Sequence, residues 1–261
     1  DDLLLHDSLD RIHTLIDNNP DVDFFYVNSY HLNTEYLDSY SHPFDIDNLP
    51  SSMEPFSTYT LDGQLPFLNL INPSISFDFL GGMFLSVFRR ENWTSSISSL
   101  DQEAIYSDLT FSHFDNTFPH LKIFSHCFAS SVAYFNSSPL NVCLTGAREW
   151  APLGPLVMSI RLVQALELYR HNGLPLLQYY RCRNFALRNF FSDFLQILCF
   201  KRFSCFNLPL VRIFFSNIFY PNFYLSPFYF FIRKARILFS RLLSAKSIQR
   251  LLPQSINLLE Q

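Results

Sequence analysis

Asp1-Asp2-Leu3-Leu4-Leu5, Asp7-Ser8-Leu9-Asp10 and Val22-Asp23-Phe24-Phe25-Tyr26-Val27-Asn28 are the stretches that decide the fold. Asp7 with an acid three positions later reads as a capped helix start. Leu9, Ile12, Leu15 and Ile16 then form an apolar stripe at helical spacing, which Asn18-Asn19-Pro20 stops. Residues 22–28 are short, β-branched and aromatic, the pattern of a buried strand. An acidic turn, a helix and a strand in that order make the second half of an α/β unit. Two adjacent carboxylates after a strand and before a helix suit a hard divalent cation that bridges protein to phosphate. The expectation is a chain that starts inside a metal–diphosphate motif, with the nucleotide-binding half lying ahead of it.

Outward from this core, residues 31–76 are rich in Pro, Ser, Asp and Tyr, which predicts a long irregular binding insert. Gly81-Gly82 leads into a predicted strand over Met83–Phe88, and a helix is expected near Asn92-Trp93. Pro119 suits the first turn of the next helix. Val132–Phe135 and Leu140–Leu144 read as a strand pair joined by Asn136-Ser137-Ser138-Pro139. A long helix is predicted over roughly 155–171, closed by His171-Asn172-Gly173.

The net charge of -4 conceals a division. Residues 1–180 carry 7 Lys/Arg against 21 Asp/Glu, whereas 181–261 carry 12 Lys/Arg against only Asp193 and Glu260. The basic part also holds 15 of the 30 Phe, so its expected partner is an anionic membrane surface, contacted through 181–250. Ile213 to Ile232 has no charged residue, and Pro221, Pro227, Asn217 and Asn222 interrupt it. It is long enough to span a membrane, to lie in the interface or to pack as core, and those alternatives stay open. The five Cys show no CxxC pair, so reduced thiols are expected.

The order of these features, with Gly81-Gly82-Met83-Phe84, Arg89-Arg90-Glu91-Asn92-Trp93 and Phe118-Pro119-His120-Leu121, resembles the family 2 glycosyltransferases. Among them it looks most like the bacterial surface-polysaccharide enzymes of the abequosyltransferase type, over about residues 1–175. The resemblance implies an α/β GT-A-like domain over 1–175, followed by a mainly helical, basic, Phe-rich, membrane-associating extension over 176–261. It implies transfer of a sugar, with inversion, from a nucleotide-sugar donor to a glycan or lipid-linked acceptor, in a cytoplasmic protein peripheral at the inner face of the membrane. Asp1 and Asp2 would match the family's acidic motif and hold Mg²⁺ or Mn²⁺. Residues 1–261 would then be inactive by themselves, since the nucleotide pocket would lie ahead of Asp1.

Under that resemblance Asp115 stands where a catalytic base is expected, with His120 next in line. Asp115 equally suits a loop carboxylate capping the Pro119 helix. Gly81 and Gly82 admit either a close backbone approach to donor or acceptor, or a tight lead-in to a strand. In Thr145-Gly146-Ala147-Arg148-Glu149-Trp150, Arg148 would clamp phosphate oxygens and Trp150 exclude water, or the segment is an ordinary turn. Two other readings compete: a non-catalytic membrane-binding or interaction module, and, less favoured because no nucleic-acid motif is present, a nucleic-acid binder.

Overall fold

A computed structural model describes residues 2–33, 49–51, 53–145 and 151–256, with side chains from 241 onward outside the description. The chain has a mixed α/β architecture, a central sheet followed by a helical C-terminal region. The sheet contains β1 (Asp2–Leu4), β2 (Phe24–Asn33), β3 (Glu54–Pro55), β4 (Gly63–Pro66), β5 (Ser86–Phe88) and β6 (Val132–Thr145). β2 and β6 run parallel along most of their length and form its spine. At one end β5 and β4 flank them, and at the other β3 and β1, all antiparallel.

The predicted strand pair is one strand. Between Val27↔Asn136 and Ser29↔Asn141 the register shifts, so the Ser137–Leu140 segment bulges out instead of turning back. Pro139 has no N–H for a ladder, and a bulge is where a sheet tolerates it. Asn28 fastens the bulge: its Nδ2 donates to Ser137 O and Ser57 O, and its Oδ1 accepts from the Ser57 N–H. The insert predicted to be irregular supplies β3 and β4 to the sheet. The strand expected over Met83–Phe88 begins as a 3-10 turn, Met83–Leu85.

Helix α1 (Ser8–Asn18) has the expected limits, but Asp7 makes no side-chain cap bond and sits at φ 59°. Its stripe is only partly covered, since Ile12 and Leu15 are half-buried while Leu9 is 67 % exposed. Helices α2 (Arg90–Ser96), α3 (Gln102–Ile105) and α4 (Pro119–Cys127) follow, with Pro119 in the first turn of α4. Phe24, Phe67, Phe124 and Phe128 meet edge-on beneath the spine, with centroids of Phe24 4.9–5.3 Å from the other three. Such contacts explain why the body holds so many Phe: the rings fill volume and add edge-to-face attraction.

The predicted long helix is three joined pieces: α5 (Gly154–Leu156), a π-helical turn (Val157–Arg161) and α6 (Leu162–His171). Gly173, at φ 110°, closes it in a conformation that favours glycine. Then come α7 (Leu176–Ala186), α8 (Phe190–Cys199), α9 (Leu210–Ser216) and α10 (Pro221–Ile256). Cys182 of α7 belongs to the same apolar core as the sheet. Buried Arg183 donates to Asn217 Oδ1, Glu167 Oε1 and Ser216 O, fastening α7 to α6 and to the α9–α10 junction. The uncharged stretch Ile213 to Ile232 is not one continuous helix, since α9 ends at Ser216 and α10 begins at Pro221. Among the described residues no helix is long and apolar enough to cross a membrane.

Candidate functional site

A cavity of about 260 Å³ opens toward the C-terminal ends of β2 and β6. That is where α/β folds with parallel strands place ligands. Aromatic and aliphatic groups, among them Phe56, Phe84, Phe118 and Met158, make most of its wall, while His31, Asp78, Gly81, Gly82 and Cys143 bring polar atoms to it. The sheet register explains part of this set. Asp2 pairs with Cys143, Cys143 with His31, and His31 with Glu54, one row across β1, β6, β2 and β3. Directly opposed residues project to the same face of a sheet. Asp2 thus shares the face of His31 and Cys143, and it is exposed.

The His31 ring stacks on Phe56 at 4.4 Å and 20°, and Phe56 stacks on Phe77 at 4.5 Å. Burial lowers the His31 pKa and Glu54 opposes the shift. The imidazole is neutral at neutral pH, with a nitrogen able to accept a proton.

Asp78 organises the loop beneath the cavity. Its Oδ1 accepts from Ser76 Oγ and its Oδ2 from the Gly82 N–H, each at 2.7 Å, while Ser76 Oγ accepts from the Leu80 N–H. Burial raises the Asp78 pKa, against the pull of those donors. Between these bonds Phe79 and Leu80 lie at φ 54° and 69° although both are fully buried. Non-glycine residues there cost on the order of 1–3 kcal/mol each and persist where the surroundings over-determine them. A Cβ on Gly82 would stand 2.5 Å from Phe84 Cε1, so the Phe84 ring would have to shift, and a Cβ on Gly81 would meet Asp78 O at 3.0 Å. The protein's own atoms fill the space that these glycines leave, and the glycines line the cavity as well.

His120 lies behind Gly81, with Nε2 3.1 Å from Gly81 O. A carbonyl only accepts, so Nε2 carries a proton. Burial, partly offset by the Gly81 and Leu80 carbonyls, holds its pKa down at about 4. Asp115 is engaged elsewhere. Its Oδ2 is 2.6 Å from Lys122 Nζ and accepts the Asp101 N–H at 2.7 Å, and it does not line the cavity. Asp1, Arg148 and Trp150 fall outside the described residues. The sequence-predicted residues that the fold brings together are thus Gly81, Gly82 and, through the row, Asp2, with His120 one layer behind. Among the described residues no group of three or more His, Cys, Asp or Glu forms that could hold a metal.

His31, Asp78 and Cys143 are site residues that the sequence does not single out. His31 lies where composition predicts an irregular insert, although the strand carrying it continues past Asn28. Ser76-Phe77-Asp78 followed by Gly81-Gly82 is a readable turn signal, because a Ser or Asp side chain bonds backbone N–H groups a few residues on. No protein-family model matches the chain, and no curated protein or solved structure matches it either.

Proposed function

We propose that the chain is a glycosyltransferase of the family 2 type, moving a sugar from a nucleotide-sugar donor to a glycan or lipid-linked acceptor of surface-polysaccharide synthesis. The observation that carries this reading is the cavity at the ends of β2 and β6, floored by Gly81-Gly82, with the Asp2 carboxylate in the same cross-strand row. A GT-A-like domain uses this end of its sheet. A divalent ion, Mg²⁺ or Mn²⁺, belongs to the proposal. Asp2 fits it as an exposed hard oxygen donor, because such ions bind through one or two carboxylates plus substrate phosphates. When bound, the ion would neutralise charge on the departing nucleoside diphosphate.

In this reading the aromatic walls exclude water and hold a sugar face, and His31 is the neutral base that faces the reacting hydroxyl. Asp115, held by Lys122, gives the loop its shape. His120 supports the Gly81 carbonyl from behind.

The test is release of nucleoside diphosphate from UDP-, GDP-, CDP- and dTDP-sugars, with Mn²⁺ and a lipid-linked glycan acceptor. It uses the native protein together with any sequence its gene encodes ahead of Asp1, since residues 1–261 by themselves are expected to be inactive. The expected result is turnover with one donor class that chelation abolishes and that Asp2→Asn lowers by about 100-fold or more. Absence of turnover with every donor, in protein that still binds vesicles, would overturn the reading. It would leave the second one, a non-catalytic membrane-binding or interaction module, which the exposed aromatic side chains of α9 and α10 favour.

A further inference from the structure

The last third of the chain leaves large apolar side chains uncovered. Phe215, Phe219, Phe228, Phe231, Leu238 and Phe239 are each at least 60 % exposed. From Phe231 to Ser240 every residue of α10 is exposed, and α8 covers this part of the helix only along one side. A helix that is apolar on several sides belongs in an apolar medium. Arg233, Lys234 and Arg236 interleave with these residues, and no Asp or Glu occurs between Asp193 and Glu260. Between α8 and α10 runs a groove of about 490 Å³. Leu195, Phe200, Phe230 and Ile237 form apolar walls, and Arg233 and Lys234 are the charged residues among its lining. Lys234 Nζ stands 5.7 Å from the Phe230 ring centroid.

We infer that this face of α8, α9 and α10 docks on an anionic bilayer surface, with Arg233 and Lys234 meeting lipid phosphates and the exposed Phe side chains entering the headgroup–acyl boundary. Charge complementarity selects this occupant. A second copy docking through the same face would set cations against cations, and a nucleic acid would answer the charge while leaving most of the apolar side chains in water. A bilayer interface answers both, since basic residues meet anionic headgroups and aromatic rings settle at their level. The inference does not depend on catalysis in the cavity.

The experiment is co-sedimentation of the intact protein with phosphatidylglycerol-containing vesicles and with phosphatidylcholine vesicles, alongside sedimentation velocity without lipid. The expected result is binding to the anionic vesicles that weakens with salt. Reversing Arg233, Lys234 and Arg236 together to Glu should weaken it by about 100-fold. Phe228→Ser with Phe231→Ser and Phe239→Ser should reduce the part that survives high salt. These side chains are exposed, so circular dichroism and thermal unfolding should match the native chain. Failure to bind anionic vesicles, binding unaltered by the charge reversal, or a dimer dissociated by those substitutions in protein without vesicle affinity would each overturn the proposal.

Discussion

Two titratable side chains, one buried and one half-buried, pull stability in opposite directions with pH. Burial holds the Asp193 carboxyl up at about 6, with Ser159 Oγ donating to it and Arg233 nearby. A carboxyl raised above its unfolded value stabilises most below that value, and the contribution is lost as pH rises through about 6. His120, lowered to about 4, does the reverse: its contribution is full above the unfolded imidazole value and lost as pH falls toward 4. Between about pH 4 and about pH 6 the two slopes oppose each other. Asp193→Asn removes one of them, so the variant should gain about 2 kcal/mol on the native chain between about pH 4.5 and pH 7. Its stability should also fall more steeply in acid. Urea unfolding of both proteins at the two pH values measures this; a constant difference would refute it. Neither shift was readable from the sequence, because each arises from packing by distant segments.

At the scale of elements, local chemistry was legible and pairing was not. The α1 limits, Pro119 opening α4 and Gly173 closing α6 follow from short-range signals. The β2 core showed itself by composition, but its continuation to Asn33 did not, because Tyr30, His31 and Asn33 lack the apolar pattern of a buried strand. Asn136-Ser137-Ser138-Pro139 has turn chemistry and became a bulge because β2 runs unbroken alongside and holds both halves of β6 in line. Asn28 is the fastening. Asn28→Ala would orphan the Ser57 backbone groups and the Ser137 carbonyl at a place where Asn28 itself is 1 % exposed. The expected loss is about 2–3 kcal/mol, read as a lower urea midpoint at unchanged slope. Asn28→Asp should not recover it, since the carboxylate oxygen that replaces Nδ2 has no proton to donate and would face the Ser57 and Ser137 carbonyls.

Across the whole molecule, the contrast between acidic body and basic tail was plain in the sequence, and so was the helical character of the tail. What composition did not reveal is how unevenly the tail is anchored. The α7 helix is packed into the sheet's own core and Arg183 ties it to Asn217, whereas every residue of α10 from Phe231 to Ser240 is exposed and only its α8 side meets the body. Removing Arg236 onward should leave the unfolding free energy within about 0.5 kcal/mol of the native chain while reducing vesicle binding. Thermal and urea unfolding of the shortened protein check the first half, and co-sedimentation the second. A large loss of stability would mean that this end of α10 is braced by the body. The candidate site was partly legible: Gly81 and Gly82 line the cavity, but the row that relates Asp2 to the cavity residues Cys143 and His31 exists only through strands distant in sequence.

The bulge has a kinetic consequence. Asn28 bonds Ser137 across 109 residues of chain, so the parallel spine cannot zip until a very long loop has closed. Sheets of this kind form late, because the entropy of closure is met before any pairing rewards it. Meanwhile the chain's Phe side chains have no shared interior to enter. Refolding from urea should accordingly be slow, and aggregation should rise with protein concentration during that delay.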